Sequence, residues 1–217
     1  MTECVAIIDY GSGNLRSVEK AVMRAIADNG LDCRVSVTSS PEAVLSASRI
    51  VLPGVGAFAD CMRGVRKIEG LDAALVQVVR RKGRPFLGIC VGMQLLADEG
   101  LEHGRSAGLG WIPGDVVRIE TGQAQLKVPH MGWNELALVR PHPVLAHLGT
   151  GAADHAYFVH SYRFRASDPR DTIATTEHGE TICAAIGRDN IIGTQFHPEK
   201  SQAFGLMLLA NFIRWRP

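Results

Sequence analysis

Short apolar runs alternate with helix-forming segments through the first hundred residues, and this alternation restricts the fold more than any other feature. The apolar runs that we interpret as strands are CVAIID (4–9), CRVSV (33–37), RIVLPG (49–54) and PFLGIC (85–90). Apolar residues at helical spacing, a proline at a first turn and terminating glycines predict helices over 14–30, 41–48, 71–83 and 91–100. Four repeats of this kind predict an α/β fold: a mostly parallel, open, twisted sheet with helices on both faces.

The second half of the chain carries shorter strand-like segments joined by turns. These segments are WIPGDVVRIE, YFVHSYRF, TICAAIGRDN and IIGTQFHPE. An antiparallel extension of the sheet would accommodate them. The chain ends in an apolar helix that we expect Ser201 to cap. Because no repeat, low-complexity tract or linker interrupts the pattern, we expect residues 1–217 to form a single domain.

Composition excludes several classes of function. The chain has 217 residues with a formal net charge of +1, and both signs of charge are mixed along it. This balance argues against binding to nucleic acid or a membrane surface through charge. The five cysteines form no C-x-x-C pair and no zinc-like spacing, so we expect free thiols and no metal. The N-terminus does not look like a signal peptide, and no apolar run could span a bilayer, so a cytoplasmic protein is expected.

No nucleotide cofactor is expected either. The segment DYGSGNLRSV has G-x-G between a strand and a helix, as dinucleotide-binding folds do. However, Arg16 stands where the third glycine would be, and no acidic residue follows a second strand as that fold requires. A phosphate-binding G-x-x-x-x-G-K-[ST] motif is also absent from the sequence.

A cysteine at the end of the fourth predicted strand is a candidate nucleophile. Cys90 lies between Gly88 and Gly92, in the spacing of a nucleophile elbow with cysteine replacing serine. A helix that begins directly after it would favour thiolate over thiol. The backbone N–H of Val91 is then a candidate donor to an oxyanion. The alternative interpretation is a buried structural cysteine in a strand–turn–helix.

A thiol nucleophile needs a base and an oxyanion site. His197 follows a probable strand, Pro198 stiffens the turn, and Glu199 lies two residues on, so His197 and Glu199 can approach each other. A polar surface loop is the alternative, and His160 is the second candidate base. Glycines 54 and 56 in LPGVGAF leave backbone N–H groups free to face a ligand, although an ordinary strand–helix turn has the same composition.

The strings GICVGMQLL and GTQFHPEKS, together with LPGVGAF, resemble the class I glutamine amidotransferases, whose fold is flavodoxin-like. DYGSGNLRSV, VPHMGWN and YFVHSY are similar to the glutaminase subunits of imidazole glycerol phosphate synthases within that class. The resemblance implies that glutamine is hydrolysed by a catalytic triad through a γ-glutamyl thioester. The implied triad is Cys90, His197 and Glu199. The implied oxyanion and substrate-binding residues are Gly54, Val55, Gly56, Val91, Gln94, Ser161 and Tyr162.

The same resemblance implies a partner, which is a cyclase subunit built as a (β/α)₈ barrel and joined in a heterodimer. A barrel of this type takes about 250 residues, so this chain cannot also contain it. Ammonia would pass through an interior channel to the cyclase, which makes imidazole glycerol phosphate and aminoimidazole carboxamide ribonucleotide in histidine biosynthesis. We expect Met131, Trp133 and Lys200 at the interface, with local packing as the alternative for the two apolar side chains.

The Gly54–Val55 peptide is expected to rest in an inactive pose, with a carbonyl where the oxyanion donor should be, until the liganded partner favours a flip. Rival interpretations are a glutaminase for the synthases of anthranilate, guanylate or the pyridoxal ring, a non-catalytic scaffold, and a cysteine hydrolase acting on peptides or γ-glutamyl tails. The string PHMGWN favours the histidine-pathway subunit, and the intact triad argues against a scaffold.

Overall fold

The computed structural model describes residues 3–122, 126–146 and 155–217. The first half follows the predicted alternation. Its elements are β1 (Glu3–Ile8), α1 (Leu15–Asp28), β2 (Cys33–Thr38), α2 (Pro41–Ser46), β3 (Arg49–Gly54), α3 (Phe58–Lys67), α4 (Leu71–Leu75, continued by a π-helical turn Val76–Arg81), β4 (Phe86–Cys90) and α5 (Val91–Gln94).

The second half consists mainly of strands. Its elements are β5 (Glu99–Gly100), β6 (Ser106–Ala107), β7 (Gly114–Arg118), β8 (His130–Glu135), β9 (Ala137–Leu138), β10 (His155–His160), β11 (Tyr162–Ala166), β12 (Thr172–Glu177), β13 (Thr181–Arg188), β14 (Ile191–Thr194) and α6 (Gln202–Arg214), with 3₁₀ turns at Pro143–Leu145, Pro169–Asp171 and Pro198–Lys200.

An eight-stranded sheet in the order β2-β1-β3-β4-β14-β13-β12-β9 forms the centre of the molecule. The pairs from β2 to β14 are parallel, and the pairs from β14 to β9 are antiparallel. Strands β3 and β4 are buried along their whole length, which matches their continuous apolar sequences. The predicted α/β fold, with a parallel sheet and an antiparallel extension, is confirmed.

Two of the four segments expected in that extension lie elsewhere. Strand β10 pairs with β8 in a two-stranded sheet, and β11 pairs with β7 in a four-stranded sheet. One residue, Ser161, separates β10 from β11, and the chain bends there so that the two strands pair with different partners. The small sheets therefore bring the Ser161 turn over the edge of the central sheet where β4 ends, next to Gln94.

Three local predictions differ from the structure. Helix α5 has four residues, because the chain turns after Gln94 and enters β5 at Glu99. Helix α3 was not predicted, although Phe58, Cys61, Met62 and Val65 are its buried residues at i, i+3, i+4 and i+7. The side chain of Ser201 does not cap α6, since its hydroxyl donates to the carbonyl of His197 at 2.7 Å.

Candidate active site

Cys90 lies at a strained corner between β4 and α5. Its backbone has φ 55° and ψ −113°, a left-handed conformation that is costly for any residue other than glycine. The side chain is buried with 4% exposure. Strain of this kind persists only where the surrounding packing enforces it, and here the packing comes from three glycines.

Each of these glycines allows a close backbone approach at the corner. A Cβ at Gly92 would lie 1.8 Å from the carbonyl oxygen of Leu52, and one at Gly88 would lie 2.5 Å from the carbonyl oxygen of Gly92. A Cβ at Gly54 would lie 2.7 Å from the amide nitrogen of Gly92. The first turn of α5 therefore packs directly on β3 and β4, and any larger residue would displace the cysteine.

His197 reaches Cys90 because β14 pairs with β4. The pair Thr194–Ile89 ends this parallel ladder, so the residues that follow each strand leave the sheet side by side. The amide of His197 donates to the carbonyl of Tyr157 at 2.9 Å, and its ring Nδ1 lies 2.8 Å from Oε1 of Glu199. Both side chains are almost fully buried.

The surroundings of His197 favour the protonated ring. Burial lowers the pKa of His197, but Cys90 and Glu199 raise it through hydrogen bonding and charge, and the result is a pKa of about 9. Glu199 occupies Nδ1, and no described residue forms a hydrogen bond of ordinary geometry with Nε2. Nε2 is therefore the nitrogen that can exchange a proton with the sulfur or with a bound substrate.

A cavity of about 320 Å³ lies over the cysteine. The predicted residues that line it are Val55, Gly56, Cys90, Val91, Gln94, Ser161, Tyr162, His197 and Lys200. Gly54 does not line the cavity and packs against α5, while Glu199 lies behind the ring of His197. The volume suits a ligand of the size of an amino acid.

Gln94 connects α5 to the Ser161 turn. Its Nε2 donates to the carbonyl of Tyr162 and to Oε1 of Gln195, both at 2.9 Å. Two residues near this site were not predicted. Glu102 lines the cavity and accepts a hydrogen bond from the amide of Phe58, and Gln195 is fully buried beside Cys90. The string TQFHPE contained Gln195, but a glutamine two residues before a histidine carries no sequence signal of its own.

The second candidate base, His160, is not placed for that role. Its Nδ1 lies 2.8 Å from the carbonyl of Tyr162, and its Nε2 lies 3.0 Å from Nδ1 of His130. Burial lowers the pKa of His160 to about 3. His160 lines the cavity, but both of its ring nitrogens are engaged, so the structure favours His197 over His160 as the base.

The Val55 peptide is held by Ser12, which belongs to the loop after β1. The amide of Val55 donates to Oγ of Ser12 at 3.3 Å, and the same hydroxyl donates to the carbonyl of Val55 at 2.6 Å. Cys61 adds a thiol contact to that carbonyl at 3.4 Å. The N–H of Val55 is therefore occupied by Ser12 in this structure.

An exposed aromatic and cationic surface adjoins the cavity. Met131 and Trp133 on β8 are 63% and 48% exposed, which is unusual for such large apolar side chains. Trp133 packs edge-on against Tyr157, with ring centroids 6.1 Å apart. The Nζ of Lys200 lies 5.5 Å from the Tyr157 ring centroid, so the three predicted interface residues share one neighbourhood.

Residues 3–122, 126–146 and 155–217 contain no group of three or more His, Cys, Asp or Glu side chains placed to hold a metal ion. Over the same residues, no helix combines the length and apolar character needed to cross a bilayer.

Comparison with known proteins agrees with this geometry. The profile of the class I glutamine amidotransferases matches residues 6–215. The chain is 57% identical over 214 residues to the imidazole glycerol phosphate synthase subunit HisH of Rhodospirillum rubrum, and 54% identical to that of Agrobacterium fabrum. Each alignment covers 98% of this chain and 99% of the relative.

Solved structures show the same fold at much lower sequence identity. A crystal structure described as a glutamine amidotransferase aligns with TM-score 0.68 and 17% identity over 95% of this chain and 98% of that one. A glutamine amidotransferase from Thermotoga maritima aligns with TM-score 0.57 and 18% identity over 92% and 77% of the two chains. On the family profile and these closely similar full-length relatives, the chain belongs to the class I glutamine amidotransferase family.

Proposed function

We propose that the protein is the glutaminase subunit of an imidazole glycerol phosphate synthase and acts in the cytoplasm as one glutamine amidotransferase domain, residues 1–217. The observation that carries this proposal is that Cys90 and His197 line one cavity, and that His197 is hydrogen-bonded to Glu199 behind it. The similar full-length relatives are named as subunits of imidazole glycerol phosphate synthase, an enzyme that the family resemblance assigns to histidine biosynthesis.

The first chemical step forms a thioester. The Cys90 thiolate attacks the side-chain carbonyl carbon of glutamine, and the carbonyl electrons move to oxygen. Backbone N–H groups of Val91 and of the Gly54–Val55 turn receive that oxyanion, a contribution of about 3 kcal/mol for each preorganised donor. The C–N bond then breaks, and the nitrogen leaves as ammonia after taking the proton from Nε2 of His197. The raised pKa of His197 supports this role, because the ring begins as the acid.

The second step hydrolyses the thioester. The neutral ring of His197 now takes a proton from water while the water oxygen bonds to the carbonyl carbon. The C–S bond breaks, its electron pair returns to the sulfur, and glutamate leaves with Cys90 and the protonated ring restored. Glu199 orients His197 through Nδ1 and stabilises the imidazolium. One glutamine and one water thus yield one glutamate and one ammonia.

Substrate glutamine is held by groups that surround the cysteine. Both N–H bonds of Gln94 are used within the protein, which leaves its Oε1 as the acceptor for a substrate N–H. The backbone of Ser161 and Tyr162 lines the opposite wall, with Gly56 nearby. Glu102 is the acidic side chain among the described lining residues and would pair with the substrate ammonium.

The partner is a (β/α)₈-barrel cyclase that takes the ammonia through an interior channel and forms a heterodimer with this chain. Its proposed docking surface contains Met131, Trp133 and Lys200. Exposed Met and Trp side chains are typical anchors of protein interfaces, and Lys200 lines the cavity while contacting the Tyr157 ring. No cofactor and no metal take part in the proposed hydrolysis.

We propose that the orientation of the Gly54–Val55 peptide, which carries the N–H of Val55, controls the rate of this reaction. Ser12 occupies the N–H that would serve the oxyanion, which supports an inactive resting pose. The liganded cyclase would favour a flipped peptide. Replacing Ser12 by Ala removes both hydroxyl contacts, so hydrolysis by the isolated chain should rise several-fold, and the stimulation by the partner should shrink. Unchanged basal and stimulated rates in Ser12→Ala would contradict this regulation.

The decisive test measures glutamine hydrolysis with no partner, with the purified cyclase, and with the cyclase plus its ligand. We expect activation by the liganded cyclase and transfer of ammonia into its product. Cys90→Ala should abolish hydrolysis and still co-purify with the cyclase. Hydrolysis retained in that variant would remove the nucleophile. Turnover of peptides or γ-glutamyl tails in place of glutamine, or activation only by another synthase, would favour the rival functions.

A further inference from the structure

Gln195 is a buried amide that contacts the sulfur of the nucleophile. Its Nε2 lies 3.8 Å from Sγ of Cys90, which is hydrogen-bonding distance for sulfur. The side chain is fully buried and is not among the residues that line the cavity. Gln195 therefore meets the sulfur from the interior of the protein, on a side that substrate does not reach.

Strand pairing explains this contact between residues far apart in sequence. Gln195 follows β14, and the last residue of that strand, Thr194, pairs with Ile89, which precedes Cys90. The parallel register places the two residues directly beside each other. The amide of Gln195 also donates to the carbonyl of Ala184 at 2.9 Å, which fixes its backbone.

A chain of hydrogen bonds fixes which end of the Gln195 amide faces the sulfur. The carbonyl of Tyr162 can only accept, so the atom of Gln94 that contacts it must be the donor Nε2. The same Nε2 contacts Gln195, which must present its acceptor Oε1 there. The remaining group, the NH₂ of Gln195, is then directed at Cys90. The amide orientation thus follows from a backbone carbonyl.

We propose that Gln195 is a hydrogen-bond donor to Cys90 that stabilises its sulfur as a thiolate. This inference rests on the proposed glutaminase function and adds a residue to its machinery. When the thiol ionises, its proton passes to His197, and the negative sulfur becomes a strong acceptor for the buried N–H. The same donor stabilises the sulfur when it leaves the thioester. Gln195 also orients Gln94, so one side chain links nucleophile and substrate site.

The test follows alkylation of Cys90 by iodoacetamide between pH 5 and 10, without glutamine, and quantifies the modified peptide by mass spectrometry. Thiolate is the reactive form, so the rate reports ionisation directly. Gln195→Met keeps the volume and removes the donor. We expect alkylation at pH 7 to slow about tenfold and the midpoint of the rate–pH curve to rise by about one pH unit.

Two variants support this comparison. Gln195→Leu removes the donor with a second apolar side chain of similar size, so its midpoint should rise as well. Thr194→Val removes a buried hydrogen bond to the Phe196 carbonyl without touching the sulfur. Its alkylation curve should match that of the unmodified protein. Circular dichroism and co-purification with the cyclase establish that each variant is folded.

A Gln195→Met curve that superimposes on the unmodified protein overturns the proposal. If that variant does not fold, an unmoved or lowered midpoint in Gln195→Leu overturns it instead. A rise in Thr194→Val as large as that in Gln195→Met does so too, because the shift would then reflect strand packing. Alkylation requires no turnover. A failed glutaminase assay with the cyclase would therefore count against the proposed function alone.

Discussion

Two buried hydrogen-bonded pairs that contain histidine lie close to the same cavity, and their histidines have opposite protonation behaviour. His197 pairs with Glu199, and its pKa is about 9. His160 pairs with His130, and burial lowers their pKa values to about 3 and about 4. All three rings are at most 6% exposed. The three rings are similarly buried, so burial alone does not determine their charge. The hydrogen-bond partner of each ring nitrogen determines it.

The bonding of the second pair requires both rings to be neutral. Asn134 Nδ2 donates to the carbonyl of Glu177, so the contact of Nδ2 with His130 Nε2 is a donation as well. His130 then carries its proton on Nδ1 and donates to Nε2 of His160. His160 in turn donates from Nδ1 to the carbonyl of Tyr162. Adding a proton to either ring would place two donors face to face.

Histidine therefore has two different uses at this site. A carboxylate partner suits His197 to the proposed proton transfer, whereas a chain of neutral donors and acceptors holds the rings of His130 and His160 in place. That chain runs from β8, where Trp133 and Met131 are exposed, to the carbonyl of Tyr162 that also receives Gln94.

The largest expected effect is on glutamine hydrolysis, which should depend far more on His197 than on His160. His197→Gln removes the only described imidazole that can serve Cys90, and glutamine hydrolysis with the liganded cyclase should fall by about 10³-fold or more. His160→Gln keeps a hydrogen-bonding side chain near Tyr162, and hydrolysis should fall by less than about tenfold, mainly through KM. Comparable losses of kcat in the two variants would mean that the division of roles is wrong.

The second largest effect is expected from Glu199→Gln, which tests whether Glu199 causes the high pKa of His197. Glu199→Gln removes the negative charge and offers an amide that can leave the ring in the wrong tautomer. Hydrolysis should fall by about 10²- to 10⁴-fold. The pKa of His197, followed by NMR of the labelled ring, should drop below about 9. Glu177→Gln, an exposed carboxylate near the other pair, is the matched control and should leave both readouts unchanged. A His197 pKa that stays near 9 in Glu199→Gln would show that Glu199 is not the cause of the high pKa.

The sequence predicts the pairing of His197 with Glu199, but it does not predict the pairing of His160 with His130. His197 and Glu199 are two residues apart, so their pairing is local and visible in FHPE. Cys90 is visible through its flanking glycines. The pairing of His130 and His160 depends on the register of β8 with β10, in which these residues face each other. No local pattern encodes that register, and His160 was accordingly interpreted as a possible base.

The same distinction holds for the rest of the molecule. Most strands and helices of the first half follow from local apolar periodicity, although α3 was not predicted and α5 is shorter than predicted. The contacts of Ser12 with Val55 span 43 positions, and those of Gln195 with Cys90 span 105. Such contacts depend on how the sheet is assembled, because β1, β3, β4 and β14 bring their ends together only in the folded order. The two-stranded and four-stranded sheets were not predicted for the same reason.

The smallest expected effect is on stability, and its sign differs between the pairs. The pKa of His160 is about 3 in the fold and about 6.5 in an unfolded chain, so only the unfolded chain binds this proton between those values. Stability should therefore fall as pH drops from about 6.5, by at most about 1.4 kcal/mol per pH unit for this ring. The pKa of His197 is raised, so its contribution is present below pH 6.5 and is lost as pH rises through about 9.

Urea unfolding of three proteins between pH 4 and 10 measures both slopes. His160→Gln should flatten the acid side of the stability curve and leave the alkaline side intact. His197→Gln should do the reverse, because it removes the proton that Glu199 and Cys90 hold. Since His130 also titrates on the acid side, some slope should remain there in His160→Gln. Curves that change on the same side in both variants would show that burial, and not the hydrogen-bond partner, controls these rings.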